Sequence, residues 1–119
     1  MSKLTSLAAI ALTLSALSVP AKASAFVAWQ VTNVPWGDTL NARKYPSPNS
    51  QKQNAYPNGA VLSMTGSCTG GVNLQNIQTL PSWKQRALVK SSWCQLWHDP
   101  AGNGKFKVGW VRAKFIKPY

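Results

Sequence analysis

The chain has 119 residues and a formal net charge of +11, because 13 lysine and arginine residues are balanced by only two acidic ones. It contains no glutamate, so catalysis by paired carboxylates would need both Asp38 and Asp99. This composition argues against an enzyme and against a metal cofactor, and it favours an anionic partner.

The first 25 residues are typical of a cleaved secretory signal peptide. Lys3 supplies a positive charge, and residues 7–19 form an apolar stretch too short to span a bilayer comfortably, which disfavours an uncleaved anchor. Small residues then allow cleavage after Ala23 or Ala25. We therefore expect a periplasmic or secreted protein with no transmembrane segment after cleavage. Loss of the two leader lysines lowers the charge from +11 to +9.

Residues 26–119 suffice for one small domain, and their pattern is that of short strands separated by turns. Strand-like runs occur at 26–32, 60–65, 93–98, 106–112 and 115–117, with turn residues at 46–50, 56–59 and 99–104. We expect an all-β small barrel or sandwich. Residues 69–92 break the pattern, and within them Ser82 is predicted to cap one short helix from Trp83 to about Val89.

Two cysteines, Cys68 and Cys94, lie in the predicted mature chain. An exported chain meets an oxidising compartment, so we predict that they form a disulfide. A metal site is the alternative, but it would have to recruit His98 and the two aspartates. We therefore predict no metal and no cofactor.

Four short motifs follow one another along the mature chain. They are Gly37-Asp38-Thr39-Leu40-Asn41-Ala42-Arg43 before Pro46; Pro57-Asn58-Gly59 before Val61; Gly66-Ser67-Cys68 with Trp93-Cys94-Gln95-Leu96; and Gly109-Trp110-Val111 before Lys114-Phe115-Ile116. In this order they resemble the bacterial SH3-like (SH3b) domain family of exported and cell-envelope proteins, including its branch with a cysteine pair. The resemblance implies an SH3-like β-barrel of about five to six short strands that binds cell-wall peptides or glycans. The insertion 69–92 departs from the family pattern, so the resemblance says nothing about its role.

Apolar residues at the motif positions are predicted to form the core. We place there Trp110, Leu40, Val61, Leu96, Val111 and Ile116, and we expect Trp29 to be buried as well. Strand alternation puts Cys94 and Leu96 on one face and Trp93, Gln95 and Trp97 on the other. Gly109 is expected to leave room for neighbouring backbone.

Catalytic constellations are not apparent in the sequence. Cys94 and His98 would lie about 13 Å apart along a strand, and Cys94 is predicted to be oxidised. His98 beside Asp99 is interpreted as a polar strand end, and Asp38 as a turn residue that binds local backbone. We predict that the protein is not an enzyme.

Exposed tryptophans and basic residues supply the candidate binding groups. Six tryptophans exceed what so small a core can hold, and we expect Trp36, Trp83 and Trp97 to be at least partly exposed. The basic candidates are Arg43, Arg86, Arg112 and Lys114, the last two predicted on one face of a strand pair. Each of these charges could simply be solvated surface, and Arg43 could also hydrogen-bond loop carbonyls.

The sequence thus predicts a non-catalytic exported module that adsorbs to an anionic envelope polymer, peptidoglycan or lipopolysaccharide, through basic and tryptophan side chains. The alternative is a protein-interaction or inhibitor domain in which the insertion 69–92 presents Trp83 and Leu88 to a partner. Nucleic acid ranks third, because an exported protein rarely meets it.

Overall fold

The computed structural model describes residues 26–119, and the predicted signal peptide lies outside the described residues. Seven strands form one antiparallel sheet: β1 (Val27–Val31), β2 (Leu40–Arg43), β3 (Lys52–Tyr56), β4 (Val61–Cys68), β5 (Trp93–His98), β6 (Lys107–Arg112) and β7 (Ile116–Pro118). Their order is β3-β2-β6-β5-β4-β1-β7, so β3 and β7 are the edges of an unclosed sheet. The predicted small, mostly β domain is confirmed, with seven strands rather than five to six.

The sheet curls strongly, which brings strands together that are not neighbours. Two strands, β2 and β6, separate β3 from β5, and in a flat sheet this places them about 14 Å apart. Yet the Tyr56 hydroxyl on β3 lies 2.6 Å from Nδ1 of His98 on β5. The β3–β2 pair is joined to the other five strands by little backbone pairing, because β2 and β6 pair only at Arg43 and Trp110.

One hydrophobic core lies on the inner side of the curl, and the predicted core is partly right. Leu40, Leu96, Val111 and Ile116 are buried, as is Trp29. The prediction was wrong for Val61, which is 49% exposed, because β4 turns Leu62 and Met64 inward instead. It was also wrong for Trp110, which is only half-buried, since it alternates with the buried Gly109 and Val111.

The insertion 69–92 packs against β4 of the sheet. It contains a 3₁₀ turn (Thr69–Gly71), α1 (Leu74–Ile77) and α2 (Ser82–Val89), so the predicted helix is confirmed and a second, shorter one precedes it. Ser82 is not the cap: Pro81 occupies that position, Ser82 begins the helix, and no side chain caps it. The Gln85 amide ties α2 to α1 by donating to the carbonyls of Ile77, Gln78 and Leu80 at 3.0–3.3 Å.

A disulfide joins Cys68 to Cys94 at the base of the insertion, as predicted. The two cysteines face each other across β4 and β5. Thr69 closes the same junction, because its hydroxyl accepts from the Trp93 amide at 2.9 Å and its carbonyl accepts from the Ser92 hydroxyl at 3.1 Å. Among the helices of residues 26–119, none has the length and apolar character needed to cross a membrane.

Candidate binding site

A groove lined by two arginines runs along the β2–β6 junction. Its volume is about 150 Å³, and we call it the arginine groove; it is lined by Val34, Pro35, Asp38, Thr39, Leu40, Asn41, Arg43, Pro48, Trp93, Arg112 and Phe115. The Arg43–Trp110 pairing between the strands puts Arg43 beside the end of β6, where Arg112 lies. The fold therefore joins two predicted site residues that are far apart in the sequence.

The two arginines are held in different ways. The Arg112 guanidinium carbon lies 5.4 Å from the centroid of the Trp93 ring, a cation–π arrangement. Arg43 donates through Nη1 to the Ser50 carbonyl at 2.8 Å, so of the alternatives that the sequence left open for it, the bond to a loop carbonyl is present. A guanidinium has five donors, and the groove can still use the remaining ones.

Both acidic residues are engaged by their own loops. Asp38 lines the arginine groove, but its Oδ1 accepts from the Thr39 amide at 2.7 Å, which confirms the predicted turn role. Asp99 accepts from the amides of Asn103 and Gly104 at 3.2 and 2.7 Å in the β5–β6 loop. The groove therefore contains two cationic side chains and one carboxylate that already has a donor.

The three tryptophans expected at the surface are all exposed, and they lie in different places. Trp36 is fully exposed, on a loop between Pro35 and Asp38, which both line the arginine groove. Trp83 is 66% exposed on α2. Trp97 is 37% exposed and stacks on Phe106, with ring centroids 6.1 Å apart, beyond both described cavities.

A second cavity separates α2 from the β1–β7 edge of the sheet. This α2 cleft has a volume of about 460 Å³ and is lined by Trp29, Thr32, Asn33, Ser82, Gln85, Arg86, Val89, Lys114, Ile116, Lys117 and Pro118. It joins the predicted site residues Arg86 and Lys114. Lys117 was missed, because only the short 3₁₀ turn Ala113–Phe115 brings it to the same cavity as Lys114.

The same 3₁₀ turn overturns the expectation that Arg112 and Lys114 share a strand face. Arg112 ends β6 and lines the arginine groove, whereas Lys114 lies within the turn and lines the α2 cleft. The Lys114 ammonium lies 5.1 Å from the ring centroid of Phe115, which belongs to the arginine groove. These two residues form the ridge between the two cavities.

His98 ends β5, as the sequence suggested, and its side chain is buried. Its Nδ1 faces the Tyr56 hydroxyl, and its Nε2 lies 2.8 Å from Gln53 Oε1. Burial, more than the nearby Lys107, lowers the pKa of His98, and Asp99 opposes this in part. Within residues 26–119, no three His, Cys, Asp or Glu side chains cluster as a metal site would require.

Comparisons with protein-family models, with curated proteins and with solved structures found no match to the chain.

Proposed function

We propose that the protein is a non-catalytic binding module that adsorbs to an anionic cell-envelope polymer, peptidoglycan in the first instance and lipopolysaccharide as the second source of anionic groups. The observation that carries this proposal is the arginine groove, where Arg43 and Arg112 share one concave surface with the Trp93 and Phe115 rings. This arrangement suits a chain of sugars that bears carboxylates or phosphates, because the guanidinium groups can pair with the anions while the fully exposed Trp36 beside the groove can stack on a sugar ring.

The charge balance of the described residues supports the same partner. Residues 26–119 hold every acidic residue of the chain, Asp38 and Asp99, and both accept hydrogen bonds within their own loops. Because the chain has only two acidic residues against 13 lysines and arginines, most of the positive charge is left to act on an approaching polyanion, and such attraction weakens as salt is added.

Export and an SH3-like architecture belong to the same proposal. A disulfide is typical of proteins that fold in an oxidising compartment, which supports a periplasmic or secreted location. The curl that brings Tyr56 against His98 suits a small barrel of the SH3b kind, although the sheet itself is unclosed. In this proposal the disulfide holds the insertion to the strands β4 and β5.

A protein partner that docks on the insertion is the second candidate, supported by the exposed side chains of Trp83 and Leu88 at 66% and 44%. Positions five residues apart on a helix lie about 140° apart around its axis. One flat partner surface therefore reaches only one of these two side chains at a time. This geometry favours the polymer over a protein anchored by both residues.

Retention on insoluble peptidoglycan at low and high salt tests the proposal. We expect the protein to sediment with peptidoglycan at about 0.05 M salt and to be released at about 0.5 M, where the Debye length falls severalfold. Retention that salt does not weaken would indicate an apolar contact through α2 instead of charge pairing. An absence of retention at both salts would overturn the proposal. A parallel assay on lipopolysaccharide distinguishes the two polymer sources.

A further inference from the structure

We infer that the α2 cleft is a second binding site, specific for a carboxylate carried on a small apolar body. No residue lines both this cleft and the arginine groove, so the two sites can be tested separately. The inference does not rest on the proposed polymer function, because its ligand is a small soluble molecule. A volume of about 460 Å³ is within the range of pockets that hold small ligands.

The floor of the cleft is apolar and rigid. Trp29, Val89 and Ile116 are 0%, 2% and 6% exposed and belong to the hydrophobic core. Gln85 fixes α2 against the loop after α1, so the helical wall is held in place. These side chains are nearly fully buried, so the apolar surface that the cleft offers is small and suits a hydrocarbon or ring portion of only a few atoms.

The rim of the cleft is cationic. Arg86 comes from α2, while Lys114 and Lys117 come from the opposite wall, and the lining includes no acidic residue. Three positive charges around an apolar floor favour a ligand with one anionic end and one apolar end. An inorganic anion such as phosphate would use the rim and leave the floor unfilled.

The indole N–H of Trp29 gives a second argument for the ligand, independent of the charges on the rim. Its indole Nε1 is the buried side-chain polar atom of residues 26–119 that has no hydrogen-bond partner. Such an N–H is a donor only, and leaving it unpaired is costly in a folded protein. Trp29 is one of the residues that line the cleft, and an acceptor-only group such as a carboxylate is the chemistry that would suit both this N–H and the cationic rim.

A matched pair of probes tests the inference. Binding of N-acetyl-leucine is compared with that of its amide by calorimetry or by NMR titration, since the two differ only in the charged group. We expect the acid to bind at least about tenfold more tightly than the amide, the difference that one charge-assisted hydrogen bond supplies. Equal binding of acid and amide, an absence of binding by the acid, or stronger binding of inorganic phosphate would overturn the inference.

Variants locate the site. W29F keeps an aromatic ring in the core but removes the N–H together with part of the indole, so its unfolding is measured beside its affinity, and we expect it to weaken binding of N-acetyl-leucine by about fivefold or more. R86Q/K114Q should weaken it further, whereas K84Q/K90Q removes two exposed charges of the insertion that lie outside the cleft lining and should not change it. Unchanged affinity in W29F and R86Q/K114Q, or an equal loss in K84Q/K90Q, would contradict the site. Wild-type chemical shifts outside the cleft confirm that each variant is folded.

Discussion

The Nε2 of His98 lies 2.8 Å from Oε1 of Gln53, although their strands, β5 and β3, are separated by two others in the sheet. Gln53 offers an acceptor, so Nε2 carries the proton and Nδ1 accepts from the Tyr56 hydroxyl. Burial raises the pKa of Tyr56, which keeps this hydroxyl protonated as the network requires. The network ties the two halves of the curled sheet together.

This network predicts a loss of stability in mild acid. The folded-state pKa of His98 lies below its ordinary value of 6.5, so between these two values the unfolded chain binds the proton first. His98 therefore contributes stability that is fully present above about pH 6.5 and is lost as the pH falls through the folded-state pKa.

Denaturant unfolding from pH 7.5 to 5.5 should show this fall in the free energy of unfolding. Since the chain has one histidine and no glutamate, H98N should flatten the profile. An equal slope in H98N would show that another group is responsible.

Gly109 keeps the space that the His98–Gln53 hydrogen bond occupies. A Cβ at this position would lie 2.7 Å from His98 Nε2 and 2.9 Å from Gln53 Oε1. The glycine therefore leaves room for these two side chains, and not for neighbouring backbone as the sequence suggested. We predict that G109A lowers the free energy of unfolding by about 1–3 kcal/mol, the cost typical of overpacking. Urea unfolding measures this loss. In the background of Q53A the same substitution should cost less, and fully additive effects would contradict this explanation.

Reduction of the Cys68–Cys94 disulfide should destabilise the protein substantially. The bridge closes a segment of 26 residues, for which the chain-entropy model gives about 3.5 kcal/mol. Thermal unfolding of wild type with and without reductant, beside C68S/C94S without reductant, measures the effect. We expect reduced wild type and the double variant to unfold at similar, lower temperatures. A melting temperature insensitive to reductant would show that the bridge contributes little.

Substitution of Trp36 should weaken binding to peptidoglycan without changing the stability of the fold. Its side chain is fully exposed, so W36A should change the free energy of unfolding by less than about 0.5 kcal/mol. Its position beside the arginine groove predicts weaker retention on peptidoglycan, because a stacking contact is lost. W83A on α2 is the matched control and should leave retention unchanged. The opposite pattern, with W83A alone impaired, would favour docking through the insertion.

The sequence predicted strand content, the disulfide and the exposed tryptophans, since these depend on local patterns and on cysteine chemistry. It failed at Val61 and Trp110 because both were chosen by hydrophobicity, without regard to alternation. Trp110 and Val111 are adjacent on one strand and cannot both face the core. Of the two, only Val111 is fully buried.

Which residues come together in the candidate site could not be predicted from the sequence, for a different reason. Which cations share a cavity depends on long-range pairing, such as Arg43 opposite Trp110, and on the 3₁₀ turn that separates Arg112 from Lys114. The predicted residues were consequently distributed over two cavities and three exposed tryptophans that line neither of them. Only the fold revealed that Trp93 and Phe115 line the same groove as the arginines.

Salt-dependent retention of R112Q on peptidoglycan tests the central claim most directly. Arg112 is exposed and stacks on Trp93, whereas Arg43 also holds its own loop, so R112Q removes a groove charge with little risk to the fold. K90Q removes one exposed charge from the end of the insertion, away from the arginine groove, and serves as the charge-matched control. We predict that R112Q is released at distinctly lower salt than wild type and that K90Q is released with wild type. Equal release of both variants would contradict a site at the arginine groove.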